Sequence, residues 1–267
     1  MKSTRALASL ALAIAGLLLA QAALAAPYVI LKDGVTRREG TRIRADKDGT
    51  IILTTAQGNI PFPRGQYAKA VMDEPPEFKP AAAAVAAGKI DDKVISTLEK
   101  IVSDCRYLNW DVEAQKLLAE ALLKKGDAAG ADAAYKKLYT FDPELQKNTD
   151  ISWAHRRAML AAKQYATLQK SLDAVAAAGP RTEAARAQNM RGDISLAQNR
   201  LEEAAMDYLR TAILFADVKD AEILGEATFK AAQVLEQLRD SRAKEMYRKC
   251  AEEYRSSSYA AKARNKI

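Results

Sequence analysis

Four copies of one packing pattern recur along the chain at nearly constant spacing. In three, an alanine is followed four positions later by a tyrosine, Ala131 and Tyr135, Ala204 and Tyr208, Ala243 and Tyr247, and Leu168 and Leu172 fill the same places in a degenerate copy. Successive copies begin 37, 36 and 39 residues apart, and Pro143 and Pro180 each stand twelve residues after the first member of their copy. Residues four apart lie one above the other on a helix. The small residue lets paired helices cross closely, the large one fills the gap to the next pair, and proline stops the second helix. A single pair cannot bury its own apolar face, so about three or more must stack.

The surrounding sequence supports helices throughout this region. Ala114, Leu117, Leu118, Ala121 and Leu122 form an amphipathic stripe, as do Leu201, Ala204, Ala205, Tyr208, Leu209 and Ala212. Breaks fall at Gly88, Gly126, Asp142-Pro143, Gly179-Pro180 and Asn199. A helix over Asp91 to Asp104 precedes the first copy and is placed to cap the stack. Residues 90–267 are therefore expected to form a mainly α helical-hairpin solenoid.

The N-terminal part reads differently. Residues 1–25 carry Lys2 and Arg5, then an uncharged Ala/Leu run, then Ala23-Leu24-Ala25. This is the pattern of a secretory signal cleaved after Ala25, and the apolar run is short for a bilayer span. Cleavage removes two basic residues and no acids, lowering the formal charge from +7 to +5. Residues 26–72 have β texture. Tyr28 to Leu31 leads into Asp33-Gly34, Thr41 to Arg44 alternates, Asp48-Gly49 turns into Thr50 to Thr55, and Gln57-Gly58-Asn59 turns into Ile60-Pro61-Phe62. A small antiparallel meander of three or four strands, SH3-like in outline, is expected. Residues 73–89, with Pro75, Pro76 and Pro80, read as a stiff Pro/Ala-rich linker.

On the Ala and Tyr positions, with Gly192 at the expected glycine of one first helix, residues 90–267 resemble the tetratricopeptide-repeat superfamily, whose standard unit is about 34 residues. The ending, Tyr254 through Arg264, resembles the close of units in exported members such as the Tol–Pal coordinator and the outer-membrane barrel-assembly lipoprotein families. The β segment has no counterpart in either. The resemblance implies a periplasmic or extracytoplasmic assembly role, with other envelope proteins or peptide segments as partners.

Catalytic constellations are absent from the pattern of residues. His155 is the sole histidine, no nucleophile motif accompanies it, and it reads as a helix-face residue between units. Neither a metal-ligand spacing nor a phosphate-cradling glycine loop occurs, so no metal and no cofactor are expected. Cys105 and Cys250 each fall on an apolar helical stripe and read as buried, unpaired residues. Basic and acidic residues alternate without interleaved aromatics, which argues against nucleic acid. Once the signal is removed, no stable membrane insertion is expected.

The expected function is accordingly a non-enzymatic interaction scaffold. Trp110 and Trp153, near helix starts, are candidate anchors in a concave groove, because tryptophan is enriched in binding hot spots. Arg156, Arg186 and Arg191 are candidate receivers of an acidic partner segment, within a longer series that includes Arg181, Arg200 and Arg210. The alternative is a cell-wall or glycan-associated binding protein that uses the β module.

Overall fold

The computed structural model describes residues 26–267, so the expected signal segment lies outside the described residues. The chain divides into two compact units. One comprises the described residues up to Phe78 together with Ile101–Asp111, and the other comprises Lys79–Lys100 and Val112–Ile267.

The first unit carries six strands: β1 (Tyr28–Leu31), β2 (Arg37–Glu39), β3 (Arg42–Ala45), β4 (Ile51–Thr55), β5 (Gly58–Phe62) and β6 (Tyr67–Val71). They form two three-stranded antiparallel sheets, ordered β2-β1-β6 and β3-β4-β5. The topology is thus not the simple meander expected, because β6 returns to pair with β1. Two strands escaped the pattern. The residues of β2 are all exposed, and β6 relies on alanines, so neither shows the apolar alternation of a half-buried strand.

Val29, Ile51, Leu53, Phe62 and Ala70 from both sheets enclose the core with Leu108. Gly40 marks the corner between β2 and β3. A side-chain carbon there would lie 2.4 Å from the Thr54 carbonyl oxygen, so only glycine fits. Asp33 and Asp48 close the adjoining turns by accepting from the main-chain N–H groups of Thr36 and Thr50 at 2.8 and 2.9 Å.

The expected linker contains a helix, α1 (Phe78–Ala86), which buries Ala81 and Val85. Pro80 does not prevent it, because it occupies the first turn, where a missing N–H costs no intrahelical bond. Next come α2 (Asp92–Asp104) and four hairpins: α3 (Trp110–Lys125) with α4 (Ala128–Phe141), α5 (Thr149–Ala161) with α6 (Tyr165–Ala178), α7 (Arg181–Ala197) with α8 (Leu201–Leu214), and α9 (Ala221–Gln237) with α10 (Ala243–Glu253). A 3-10 turn at Pro143–Lys147 joins α4 to α5, and α11 (Ser258–Arg264) follows the last hairpin. This is the mainly α solenoid with an N-terminal β module that the repeats imply.

The repeated residues pack as their spacing requires. Ala131, Leu168, Ala204 and Ala243 are buried, and so are Tyr135, Leu172, Tyr208 and Tyr247. The predicted glycine also has a physical reason, since a carbon added at Gly192 would sit 2.5 Å from the Tyr208 ring. Asp127, Asn148, Asp220 and Ser257 cap the starts of α4, α5, α9 and α11 with side-chain acceptors.

Each hairpin turns through a residue of left-handed backbone: Gly126, Lys163, Asn199 and Arg239, the last three with φ of 57 to 58°. Glycine and asparagine adopt this conformation readily, whereas lysine and arginine are strained there. Arg239→Gly is expected to stabilise the chain by about 0.5–1 kcal/mol, the relief of strain exceeding glycine's larger unfolded-state entropy. A urea midpoint that moves down instead of up would refute this.

Candidate interaction groove

The first helices of three successive hairpins, α5, α7 and α9, line a groove of about 700 Å³. Each contributes residues at helical spacing: Asp150, Trp153, Arg157 and Leu160 from α5; Arg186, Asn189, Met190 and Asp193 from α7; Glu222, Ile223, Glu226 and Lys230 from α9. The second helices supply the large residues between pairs, and this leaves the first helices to form the wall.

Trp153 forms part of the apolar floor. Only 5% of it is exposed, and its indole N–H donates to the Glu183 carboxylate. Met190 packs in the same cluster. On the rim, Arg157 is exposed and forms no ion pair among the described residues. Arg186 lies 3.5 Å from Glu183. These two guanidiniums stand on the α5–α7 side of the groove together with the carboxylates of Asp150 and Glu183.

The α7–α9 side is a connected polar network. Lys230 Nζ donates to Asp193 Oδ1 at 2.7 Å and to Glu226 Oε1 at 2.6 Å. The Tyr208 hydroxyl donates to the same Asp193 oxygen at 2.7 Å. Burial pulls the Lys230 ammonium down, but the two carboxylates outweigh it and hold its pKa above the usual lysine value. Burial first, and Asp193 second, push the Tyr208 hydroxyl far above its ordinary range. Glu222 accepts from the Ser258 main-chain N–H at 2.8 Å, tying α9 to the start of α11.

Asn189 stands between the two sides and is 2% exposed. Its Nδ2 donates to the Ile223 carbonyl at 3.0 Å, with Glu226 Oε2 at 3.4 Å. Both neighbours are acceptors, which fixes the orientation of the amide. Its Oδ1 is then buried with no hydrogen-bond donor among the described residues. A buried acceptor left this way costs about 1–3 kcal/mol.

The structure sorts the expected binding residues. Trp153 and Arg186 come together in the groove. Arg156 turns to the other side of α5, where its guanidinium lies 4.8 Å from the Trp153 ring centroid and donates to Ser171 and Ser152 at 3.0 and 3.1 Å. Arg191 reaches Asp173 on α6 at 2.5 Å. Trp110 belongs to the first unit, where its ring lies tilted against Phe78 with centroids 4.8 Å apart and its indole N–H donates to the Met72 carbonyl at 3.1 Å. Arg181, Arg200 and Arg210 are ion-paired with Asp217, Glu203 and Asp207.

Arg157, Asn189 and Lys230 were not singled out by the sequence reading. Counting i, i+3, i+4 and i+7 positions on the first helices from Gly192 would have reached Asn189 and its neighbours. His155 is engaged by Asp132 on α4. Cys105 and Cys250 are buried, and burial raises Cys250 to about 11. Among the described residues no helix is long and apolar enough to cross a membrane, and no three metal-ligating side chains converge.

No family model and no curated protein matches the chain. Among solved structures, it is similar to the nearly identical TPR-like repeats of a kinesin light chain from Podosopora anserina. One such structure is 15% identical with a TM-score of 0.49, and the match covers 64% of this chain and 90% of that one. A second, at 16% identity and a TM-score of 0.48, covers the same shares. The assignment to a tetratricopeptide-like architecture rests on the hairpins themselves.

Proposed function

We propose that this chain is a non-enzymatic scaffold that holds an extended segment of a partner protein in the α5–α7–α9 groove. The observation that carries this reading is the groove of about 700 Å³ lined by three successive first helices, with the Trp153–Met190 floor beside the Arg157 and Arg186 guanidiniums. Trp153 and Met190 receive an apolar side chain, and Arg157 with Arg186 favour an acidic group beside it. The leader pattern in residues 1–25 supports an extracytoplasmic site of action, in assembly or organisation of the cell envelope. Fractionation that left the mature chain in the cytoplasm would remove that placement.

Capture from envelope extracts tests the groove. The double variant Arg157→Glu/Arg186→Glu is expected to reduce recovery of the captured segment at least roughly tenfold, because like charge replaces attraction at a rim. Its stability should stay within about 0.5 kcal/mol per site, as both side chains lie at the surface. Equal recovery by the variant and the unaltered chain would refute the groove.

A second reading has its own observation. Residues 27–72 hold eight basic side chains against four acidic ones, a balance suited to an anionic wall polymer. Retention of the full chain on purified cell wall, lost after Arg38→Glu/Arg42→Glu and kept after the groove substitutions, would favour it.

A further inference from the structure

Asp150, Arg186 and Glu222 stand 36 residues apart, at the same place in three successive first helices, and all three line the groove. Their signs alternate: negative on α5, positive on α7, negative on α9. Seven residues further along α5 and α7, about 10 Å up each helix, Arg157 and Asp193 repeat the alternation with opposite sign. Lys230 on α9 completes that second row.

The two rows differ in what already compensates them. In the second, Lys230 Nζ and the Tyr208 hydroxyl both donate to Asp193 Oδ1 at 2.7 Å, so its α7–α9 part is closed on itself. In the first, no member pairs with another. The Asp150 side chain has no ion pair or hydrogen bond among the described residues. Arg186 has Glu183 at 3.5 Å, a carboxylate that also accepts from the Trp153 indole. Glu222 accepts from the main-chain N–H and the hydroxyl of Ser258, with Lys262 as the cation acting on it. Asp150 and Glu222 are exposed and Arg186 is half-buried. Three charges of alternating sign therefore face the groove at one level without neutralising one another.

Packed helices lie about 8–10 Å apart, so a peptide crossing α5, α7 and α9 meets one of these charges per helix. In a β-strand, residues three apart point to opposite faces, and a strand cannot present three matching charges at that interval to one wall. A polyproline-II segment can. It has three residues per turn and rises about 3.1 Å per residue, which sets every third side chain on one face at intervals of about 9 Å.

We propose that the groove selects a polyproline-II segment whose charges alternate at every third position: basic, x, x, acidic, x, x, basic. The acidic residue lies on Arg186, and the basic ones lie on Asp150 and Glu222. This rests on the groove reading above and gives the bound segment a conformation and a sign pattern. The pattern is the same read from either end, so the charges set the spacing and the apolar side chain on the Trp153–Met190 floor sets the direction. A segment of uniform charge meets at least one like charge and is disfavoured.

Fluorescence anisotropy of labelled peptides with the full chain, at low ionic strength, tests the pattern. The peptides carry every combination of Lys and Glu at positions 1, 4 and 7, with proline, alanine and one leucine between. Lys-Glu-Lys is expected to bind tightest, and Glu-Lys-Glu at least about tenfold more weakly. Asp150→Lys/Arg186→Glu/Glu222→Lys should reverse that order. Should losing the Glu222–Ser258 bonds unfold this variant, Asp150→Lys alone decides, and one terminal position should then prefer Glu to Lys. An all-Lys or all-Glu peptide ranking first, an order unchanged by the substitutions, or no binding by any peptide would overturn the proposal. If Arg157→Glu/Arg186→Glu abolishes envelope capture while the peptides show no sign order, the groove stands and the sign pattern falls.

Discussion

Gly192→Ala is expected to destabilise the chain by about 1–2 kcal/mol, and Gly192→Val by about 3 kcal/mol or more. In an exposed helix the first change would be favourable by about 1 kcal/mol, since alanine is the better helix former. Here the added carbon would meet three atoms of the Tyr208 ring at 2.5 to 2.9 Å. The ring cannot retreat, because it is fully buried and its hydroxyl is held by Asp193. Overpacking therefore outweighs propensity. Combining Gly192→Ala with Tyr208→Leu should cost clearly less than the sum of the separate changes, as the leucine leaves room for the methyl group. Additive losses in chemical denaturation would show that the close approach of α7 and α8 is not what requires glycine.

Lys230→Met is expected to cost about 2–3 kcal/mol, somewhat less than the roughly 3–5 kcal/mol of breaking a fully buried ion pair. The discount reflects partial access of water, since the side chains of Lys230, Asp193 and Glu226 are 22, 18 and 27% exposed. Most of the loss comes from leaving two carboxylates side by side without a cation. The triple variant Asp193→Asn/Glu226→Gln/Lys230→Met should accordingly recover much of it. The unaltered chain has its own signature at high pH. Lys230 is held above its usual 10.5, so its contribution is complete below that value and lost as pH rises through the folded-state value. Lys230→Met should lack this component of the alkaline loss in thermal scans.

The first effect arises where the two helices of one hairpin cross, the second where adjacent hairpins meet, and the first shows why the repeat is readable. Alanine or leucine followed by a large residue four positions later is a local pattern with a nonlocal consequence. It holds in all four hairpins because every unit faces the same packing problem. The β strands carried a weaker signal. Those with buried apolar residues, such as β1 and β4, were visible, while β2 and β6 gain their strand character from pairing with β1. The linker expected around Pro80 holds a helix instead, because that proline falls in the first turn of α1, a position fixed only by where the helix starts.

The groove was legible in kind but not in detail. Trp153 and Arg186 could be chosen as residues on polar or amphipathic helix faces, yet Arg156 and Arg157 are neighbours in sequence and differ by about 100° around α5. One sits against Trp153 and Ser171, and the other lines the groove. Trp110 was indistinguishable from Trp153 by its place near a helix start, and only the Met72 carbonyl and the Phe78 ring explain its role.

The sequence by itself determined the helical-hairpin array, its phase and its buried residues. These depend on periodic apolar positions and on where glycine and proline stand, which are properties of short stretches of chain. Only the tertiary structure decided which polar side chains find partners. The bond from the Asn189 amide to the Ile223 carbonyl, the pairing of Lys230 with Asp193, and the contact of His155 with Asp132 each join residues from different helices. Such contacts depend on the rotation and approach of whole helices, on which no single helix's sequence reports.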